Sequence, residues 1–379
     1  MPRHAVVRLA PSRAGTSADQ PGHHPGDLPT DLPDRLPDTV DDALVLVPAW
    51  ASEGWRPGEG RTLALWELLA TLAARDLAVA RAVEPHLDAA AILDQAGTPR
   101  DTLPGGAARA DASWGVFAAE GPGVRVVATP TPDGEHAVRL DGTKPWCSLG
   151  HRLDAALVTA WLDGDRRGLF AVDLHHPGVS PDGTQWAARG LTEIRSTGLR
   201  FEGVPATAVG EAGWYLRRPG FWWGGLGVAA CWYGGTVGVA RALWRRAAET
   251  AARGDGTSLD DALLAAALGA VDRRLHAARA VLAEAAAAVD AGAADTAGPI
   301  LALRVRGTVA QVCEDVISAV GHALGPAPLA TDAEHAKRVA DLQLYVRQHH
   351  AERDDAALGR KLVAEAATEA QTAPEAAPW

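Results

Sequence analysis

The chain has 379 residues, with 36 basic against 47 acidic side chains and a net charge of −11. That balance argues against a nucleic-acid partner, which needs a basic face, and the length admits one large core or two to three packed units. Cys147, Cys231 and Cys313 lie far apart, so neither a disulfide framework nor a metal site is predicted, and a reducing compartment fits.

Residues 1–40 are rich in Pro, Asp, Gly and Ser and are predicted to be a disordered tail, with His23 and His24 part of that solvated segment. The tail carries no apolar stretch of the signal-peptide kind, and no run of about 18 apolar residues follows it, which predicts a cytoplasmic protein without a membrane span. Residues 41–111 read as a helical domain of two or three helices. Leu65, Leu68, Leu69 and Leu72 recur at helical spacing, Pro85 is expected to break the pattern, and Gly97 with Pro99 closes it.

Composition shifts near residue 112. Short apolar runs begin at Trp114, Val124, Ala137, Ala155, Gly168 and Gly198, separated by turn clusters such as Pro132-Asp-Gly and Leu162-Asp-Gly-Asp. Residues 112–212 are therefore predicted to be a middle antiparallel β-barrel or sandwich. Residues 213–366 read as four long helices (224–253, 258–292, 299–324 and 333–365) in a C-terminal four-helix bundle, with 367–379 as a tail. The fold class is thus mainly α with a central β domain. The small-residue face around Gly224, Gly225, Gly227, Gly234 and Gly235 permits close helix packing. It lacks the strand and the Lys-Ser/Thr ending of a phosphate loop.

Residues 142–150, Gly-Thr-Lys-Pro-Trp-Cys-Ser-Leu-Gly, place a planar ring and, two residues on, a hydroxyl at the end of an extended run. Such a pair suits the edge of a flavin; a β-turn Trp shielding a core would show the same pattern. The order helix, β unit, helix, together with Asp141-Gly-Thr-Lys-Pro-Trp-Cys-Ser-Leu-Gly, the run Gly190-Leu-Thr-Glu-Ile-Arg-Ser-Thr-Gly-Leu-Arg-Phe, and Leu324-Gly325 with Arg338-Val-Ala-Asp341, resembles the acyl-CoA dehydrogenase family over roughly residues 60–360. The resemblance implies FAD as cofactor, a small-molecule substrate (an acyl thioester of CoA in the dehydrogenases), and a homodimer or homotetramer. It implies that Trp146 packs beside the flavin and Ser148 bonds its N5, that Ser196, Thr197 and Gly325 contact the cofactor, and that His86 and Tyr345 border the substrate.

Family dehydrogenases abstract a proton with a glutamate placed eight residues after the aspartate of the Arg-Asp element. Counting from Asp341 reaches His349, and the alternative glutamate place, near Val228, holds no carboxylate. Imidazole is a competent general base, and the flavin monooxygenase branch of the same fold is similar in carrying His in this region. A polar helix face is the other reading of His349. The family's Gly-Ser-Asp motif and its Arg-x-x-Phe-Gly…Gln adenine-holding segment are both absent. The leading expectation, from the family resemblance, is an FAD-dependent oxidoreductase that α,β-dehydrogenates an acyl thioester or related small molecule; the alternatives are a two-component flavin monooxygenase of the same fold and a catalytically inactive relative acting in binding or assembly.

Overall fold

The computed structural model describes residues 6–10, 32–132, 137–253, 259–292 and 294–369. Helices α1 (Val40–Ser52), α2 (Thr62–Arg75) and α3 (Leu77–Gln95) precede seven strands. These are β1 (Trp114–Phe117), β2 (Val126–Pro130), β3 (Ala137–Lys144), β4 (Ala155–Trp161), β5 (Arg167–Asp173), β6 (Val179–Pro181) and β7 (Leu199–Ala208). Helices follow again: α4 (Trp214–Arg217), α5 (Gly220–Arg253), α6 (Leu259–Asp290), α7 (Ala294–Leu324), α8 (Ala327–Thr331), α9 (Ala333–Tyr345) and α10 (Glu352–Glu369). A central β region between helical regions is what the sequence predicts. His23, His24 and the residues after Pro132 in its predicted turn lie outside the described residues.

By contacts the described chain forms two compact units, one of residues 6–10, 62–75, 225–253, 259–292 and 294–369, the other of residues 32–61, 76–132 and 137–224. The second unit holds the sheet. Its strand order is β1-β4-β2-β3-β7-β5, with β4 also pairing β5 and β6 pairing β7. The β4–β5 pairing closes the sheet into a small barrel. β4 (AALVTAW) is buried along almost its whole length, as a strand paired with three others should be. The prediction of a purely antiparallel unit is corrected: β1 and β2 both run parallel to β4. Strand β6 carries no apolar run and was not anticipated. β3 bulges between Leu140 and Gly142; Gly142 has φ +121, and a Cβ there would overlap the Arg125 carbonyl oxygen.

Helix α3 packs on this barrel through Ala89, Ile92 and Leu93, which meet Trp114, Ala155, Leu157 and Leu169 in one core. Asp76 caps it, accepting a hydrogen bond from the Ala78 N–H at 2.8 Å. The expected break at Pro85 does not occur; the helix runs through it. Proline costs the bond to the carbonyl four residues back, here that of Arg81, and burial of the apolar face outweighs that loss.

In the first unit α5 crosses α2 closely. A Cβ at Gly234 would overlap the Ala70 carbonyl, and one at Gly238 would lie 3.0 Å from the Ala74 carbonyl oxygen, so the small-residue face does serve helix packing. Val7 and Leu9, inside the segment read as a disordered tail, are buried. The Leu9 N–H donates to Glu67 at 2.7 Å and the Val7 N–H to Thr71 at 3.0 Å. The predicted helix 333–365 is broken. α9 ends at Tyr345, one 3-10 turn spans Val346–Gln348, and Ala351 has φ +46 before α10 begins. The Asp354 carboxylate, in the first turn of α10, reaches back to accept from the His350 N–H at 3.0 Å, which ties the residues of the break to the new helix.

Candidate functional site

The segment 142–150 is anchored by Lys144, whose side chain is 1% exposed. Its ammonium donates to Glu120 at 2.7 Å, to the Thr159 carbonyl at 2.9 Å and to the Thr159 hydroxyl at 2.8 Å, which uses the three donors a lysine has. Burial lowers the Lys144 pKa and the Glu120 carboxylate opposes that shift. Beyond Lys144 the backbone enters the left-handed region twice, at Trp146 (φ 60) and Leu149 (φ 57). The Cys147 N–H donates to the Thr197 carbonyl at 3.0 Å and the Leu149 N–H to the Arg195 carbonyl at 2.8 Å. The segment is thereby stapled to residues 195–197. Cys147 points inward, and burial pushes its thiol up to about 12. Trp146 is left 61% exposed, so its indole is not shielding a core.

Ser148 meets Ser196 at 2.8 Å between hydroxyl oxygens and accepts from the Arg81 guanidinium at 3.1 Å. Ser196 donates to the Ile194 carbonyl at 3.1 Å, which uses its single proton. The order of donation is therefore Arg81 to Ser148 to Ser196 to the Ile194 carbonyl. Ser148 spends its proton on Ser196, so donation to a ring nitrogen requires its hydroxyl to turn. Ser148 also lines a small surface cleft with Arg81, Pro85, Trp114, Val116, Phe117 and Leu153. Arg81 was not singled out in the sequence; a lone arginine in the otherwise apolar Leu77–Val83 run was its only signal.

The other expected site residues fall in different places. Thr197 contributes its carbonyl to the staple. His86, in α3, is buried and accepts from the Trp114 N–H at Nδ1, 3.1 Å away. Burial, aided by the charge of Arg100, lowers its pKa to about 3, so the ring is neutral and fixes β1 against α3. The unfolded chain takes up a proton below pH 6.5 that this folded ring refuses. Stability is therefore expected to be level above pH 6.5 and to fall as pH drops from there toward 3. His86→Asn, which keeps an acceptor, should flatten that slope in thermal melts between pH 7 and 4.5. Equal slopes for both proteins would reject the assignment.

Gly325 and the expected catalytic residues belong to the first unit. Gly325 has φ +67 and its N–H donates to the Gly321 carbonyl at 3.0 Å, ending α7. Arg338 donates to the Arg75 carbonyl at 3.2 Å and pairs with Glu334, while Asp341 is buried with Lys337 at 2.7 Å. Tyr345 is buried edge-on to Trp232, ring centres 6.3 Å apart, and His349 lies edge-on to the same indole at 6.5 Å. His349 sits in the break between α9 and α10, not on a helix. Its Nδ1 accepts from the Ala351 N–H at 3.2 Å, which places the proton of the neutral ring on Nε2. That atom is buried without a hydrogen-bond partner among the described residues; Asp354 stands 3.7 Å away. Burial lowers the His349 pKa, with Asp354 opposing. Arg306 covers Trp232 at 4.7 Å and donates to the Gly225 carbonyl at 2.6 Å and the Gln348 carbonyl at 3.3 Å. Neither Arg306 nor Trp232 was singled out by sequence, because their partners are distant in the chain.

An exposed indole, two hydroxyls and a guanidinium suit a flavin, whose ring offers a stacking face and an edge of acceptors and donors; these residues fit the group. No cluster among the described residues has the make-up of a metal site, and no described helix is long and apolar enough to cross a membrane.

No model of a known protein family matches the chain, and no curated protein matches it. Solved structures do. Butyryl-CoA dehydrogenase from Megasphaera elsdenii is 19% identical with a TM-score of 0.70, over 86% of this chain and 89% of that one. TdsC from Paenibacillus sp. A11-2, a dibenzothiophene monooxygenase solved with FMN and indole, is 18% identical with a TM-score of 0.67, over 84% and 87%. KijD3, solved with FMN and dTDP-3-amino-2,3,6-trideoxy-4-keto-3-methyl-D-glucose, is 20% identical with a TM-score of 0.69, over 89% and 88%.

Proposed function

We propose that this chain, which has the fold of the acyl-CoA dehydrogenases and their flavoprotein relatives, is a flavin-dependent oxidoreductase acting on a small molecule by oxygenation. The observation that carries the reading is the Arg81–Ser148–Ser196 chain of hydrogen bonds two residues from the exposed Trp146. In this reading Trp146 packs on the flavin ring, and Ser148, Ser196 and Thr197 hold its polar edge. Bound flavin supplies the redox chemistry, as hydride acceptor or as activator of oxygen. The chain's own residues bind, orient and exclude water. His349 carries its proton on Nε2 and can donate it there, while its Nδ1 lone pair is committed to the Ala351 N–H.

FMN is favoured over the FAD implied by the family resemblance, because the adenine-holding segment is absent and TdsC and KijD3 were solved with FMN. Segments 41–111, 112–212 and 213–366 then correspond to the fold's helical, β and bundle domains, in a cytoplasmic homodimer or homotetramer. Dehydrogenation of a CoA thioester is the second reading, supported by the likeness to butyryl-CoA dehydrogenase. It ranks lower because both places for the glutamate base lack one.

Titration with FMN and with FAD, followed by flavin fluorescence, tests the proposal. The wild-type protein should bind FMN more tightly, and Trp146→Ala should weaken binding about two- to tenfold, the range of an aromatic stacking contact. No binding of either flavin would overturn the reading and favour an inactive relative. Binding unchanged in Trp146→Ala would put the indole outside the site.

A further inference from the structure

His349 stands where no helical ladder fixes it. It follows the 3-10 turn with φ −83 and ψ 128, between α9 and α10. Its peptide is held at both ends instead. The His349 N–H donates to the Val346 carbonyl at 2.9 Å. The Gln348 carbonyl, part of the same planar peptide, accepts from Arg306 Nη2 at 3.3 Å. Arg306, in α7, makes two further contacts with the same guanidinium. Its Nη1 donates to the Gly225 carbonyl of α5 at 2.6 Å, and its centre lies 4.7 Å from that of the Trp232 ring. His349 meets that indole edge-on. The side chain that braces the backbone before the imidazole thus also braces the ring beside it. A planar fork suits that combination, and a lysine ammonium does not.

We infer that Arg306 is the positioning residue for His349: it holds the Gln348–His349 peptide and the Trp232 ring so that the imidazole keeps one orientation and one tautomer. Its consequence for turnover rests on the reading above of His349 as an acid–base group. The tautomer is the sensitive point. The Ala351 N–H reaches His349 Nδ1 at 3.2 Å, the long end of the hydrogen-bond range. A small shift of the backbone at 348–351 breaks that bond and frees the proton to occupy either ring nitrogen. The charge of Arg306 acts separately. Burial is the largest cause of the lowered His349 pKa; Asp354 and Asp355 of α10 oppose it, while Arg306 and His350 add to it. Geometry and charge can therefore be parted by substitution.

Nitrogen NMR of the full chain, labelled at its histidines, is the test. The wild-type His349 ring should show a single Nε2–H tautomer and titrate below the ordinary value near 6.5. Arg306→Lys keeps the charge and loses the fork, so it should show a mixture of both tautomers with the titration midpoint little changed. Arg306→Met should show the same mixture and, with the cation gone, a midpoint at higher pH than the wild type. The resonance of buried His86, whose ring stays neutral down to about pH 3, reports folding. Arg306→Lys, the milder change, carries the test if Arg306→Met does not fold. A single Nε2–H tautomer in the folded Arg306→Lys protein would overturn the inference, because a point charge would then suffice. Mixed tautomers together with turnover indifferent to His349→Ala would uphold the positioning and defeat the acid–base reading alone. A single tautomer in both variants, with turnover that collapses in His349→Ala, would defeat this inference alone.

Discussion

His349→Ala is expected to lower turnover about a hundredfold to ten-thousandfold, the usual loss when a positioned acid–base group is removed, here one whose Nε2–H is available to donate. The bond that His349 Nδ1 accepts from the Ala351 N–H fixes the tautomer and orients the ring. Its edge contact with Trp232 limits its rotation. Burial lowers its pKa, so the imidazole is neutral at pH 7 and stays so somewhat below the ordinary histidine value near 6.5. The acid limb of the pH–turnover profile should accordingly lie below that of a free histidine, and it should vanish in His349→Ala. The same ring is ill suited to the work of a glutamate base. Straight-chain acyl-CoAs should therefore bleach the flavin of the anaerobic protein weakly or not at all. Oxygen uptake by the reduced, flavin-loaded protein with a substrate panel supplies the turnover assay. Fast bleaching by a common acyl-CoA, unaffected by His349→Ala, would locate the base elsewhere and restore the dehydrogenase reading.

Lys144→Met should destabilise the protein by about 1–3 kcal/mol, the cost of leaving buried polar groups unpaired. The Thr159 carbonyl and hydroxyl both lose their donor. Glu120 is partly exposed and recovers water, so the larger penalty of a stranded buried charge does not apply. The structural loss reaches the site directly, since Lys144 is the last residue of β3 and the left-handed turn at Trp146 begins two residues later. FMN affinity should fall with stability, more than in a control such as Lys361→Met, which removes a partly exposed lysine from α10. Thermal melts and flavin titration of both variants check this. Full stability with full flavin affinity in Lys144→Met would show that the turn holds without its anchor.

Much of this was legible in the chain because it is written locally. A helix shows itself in residues three and four apart and a strand in residues two apart, so the order helices, β unit, helices follows from spacing alone. So do the small-residue face of α5 and the Trp-x-Ser pair at 146 and 148. What spacing cannot encode is which distant segment becomes a partner. Nothing in β1 or β2 announces that they run parallel to β4; that depends on how the chain returns after each intervening strand. The break at 346–351 was hidden because its residues are helix-compatible one by one. It is the bond from His350 to Asp354 and the ring of His349 bonding Ala351 that settle it. The candidate site has the same division. Ser148 and Ser196 were visible as hydroxyls, while Arg81 was not, because its meaning lies in a hydrogen bond to a residue 67 positions away. Only the packing of α3 against the barrel brings that charge to Ser148, and only the resulting network decides which hydroxyl donates to the other.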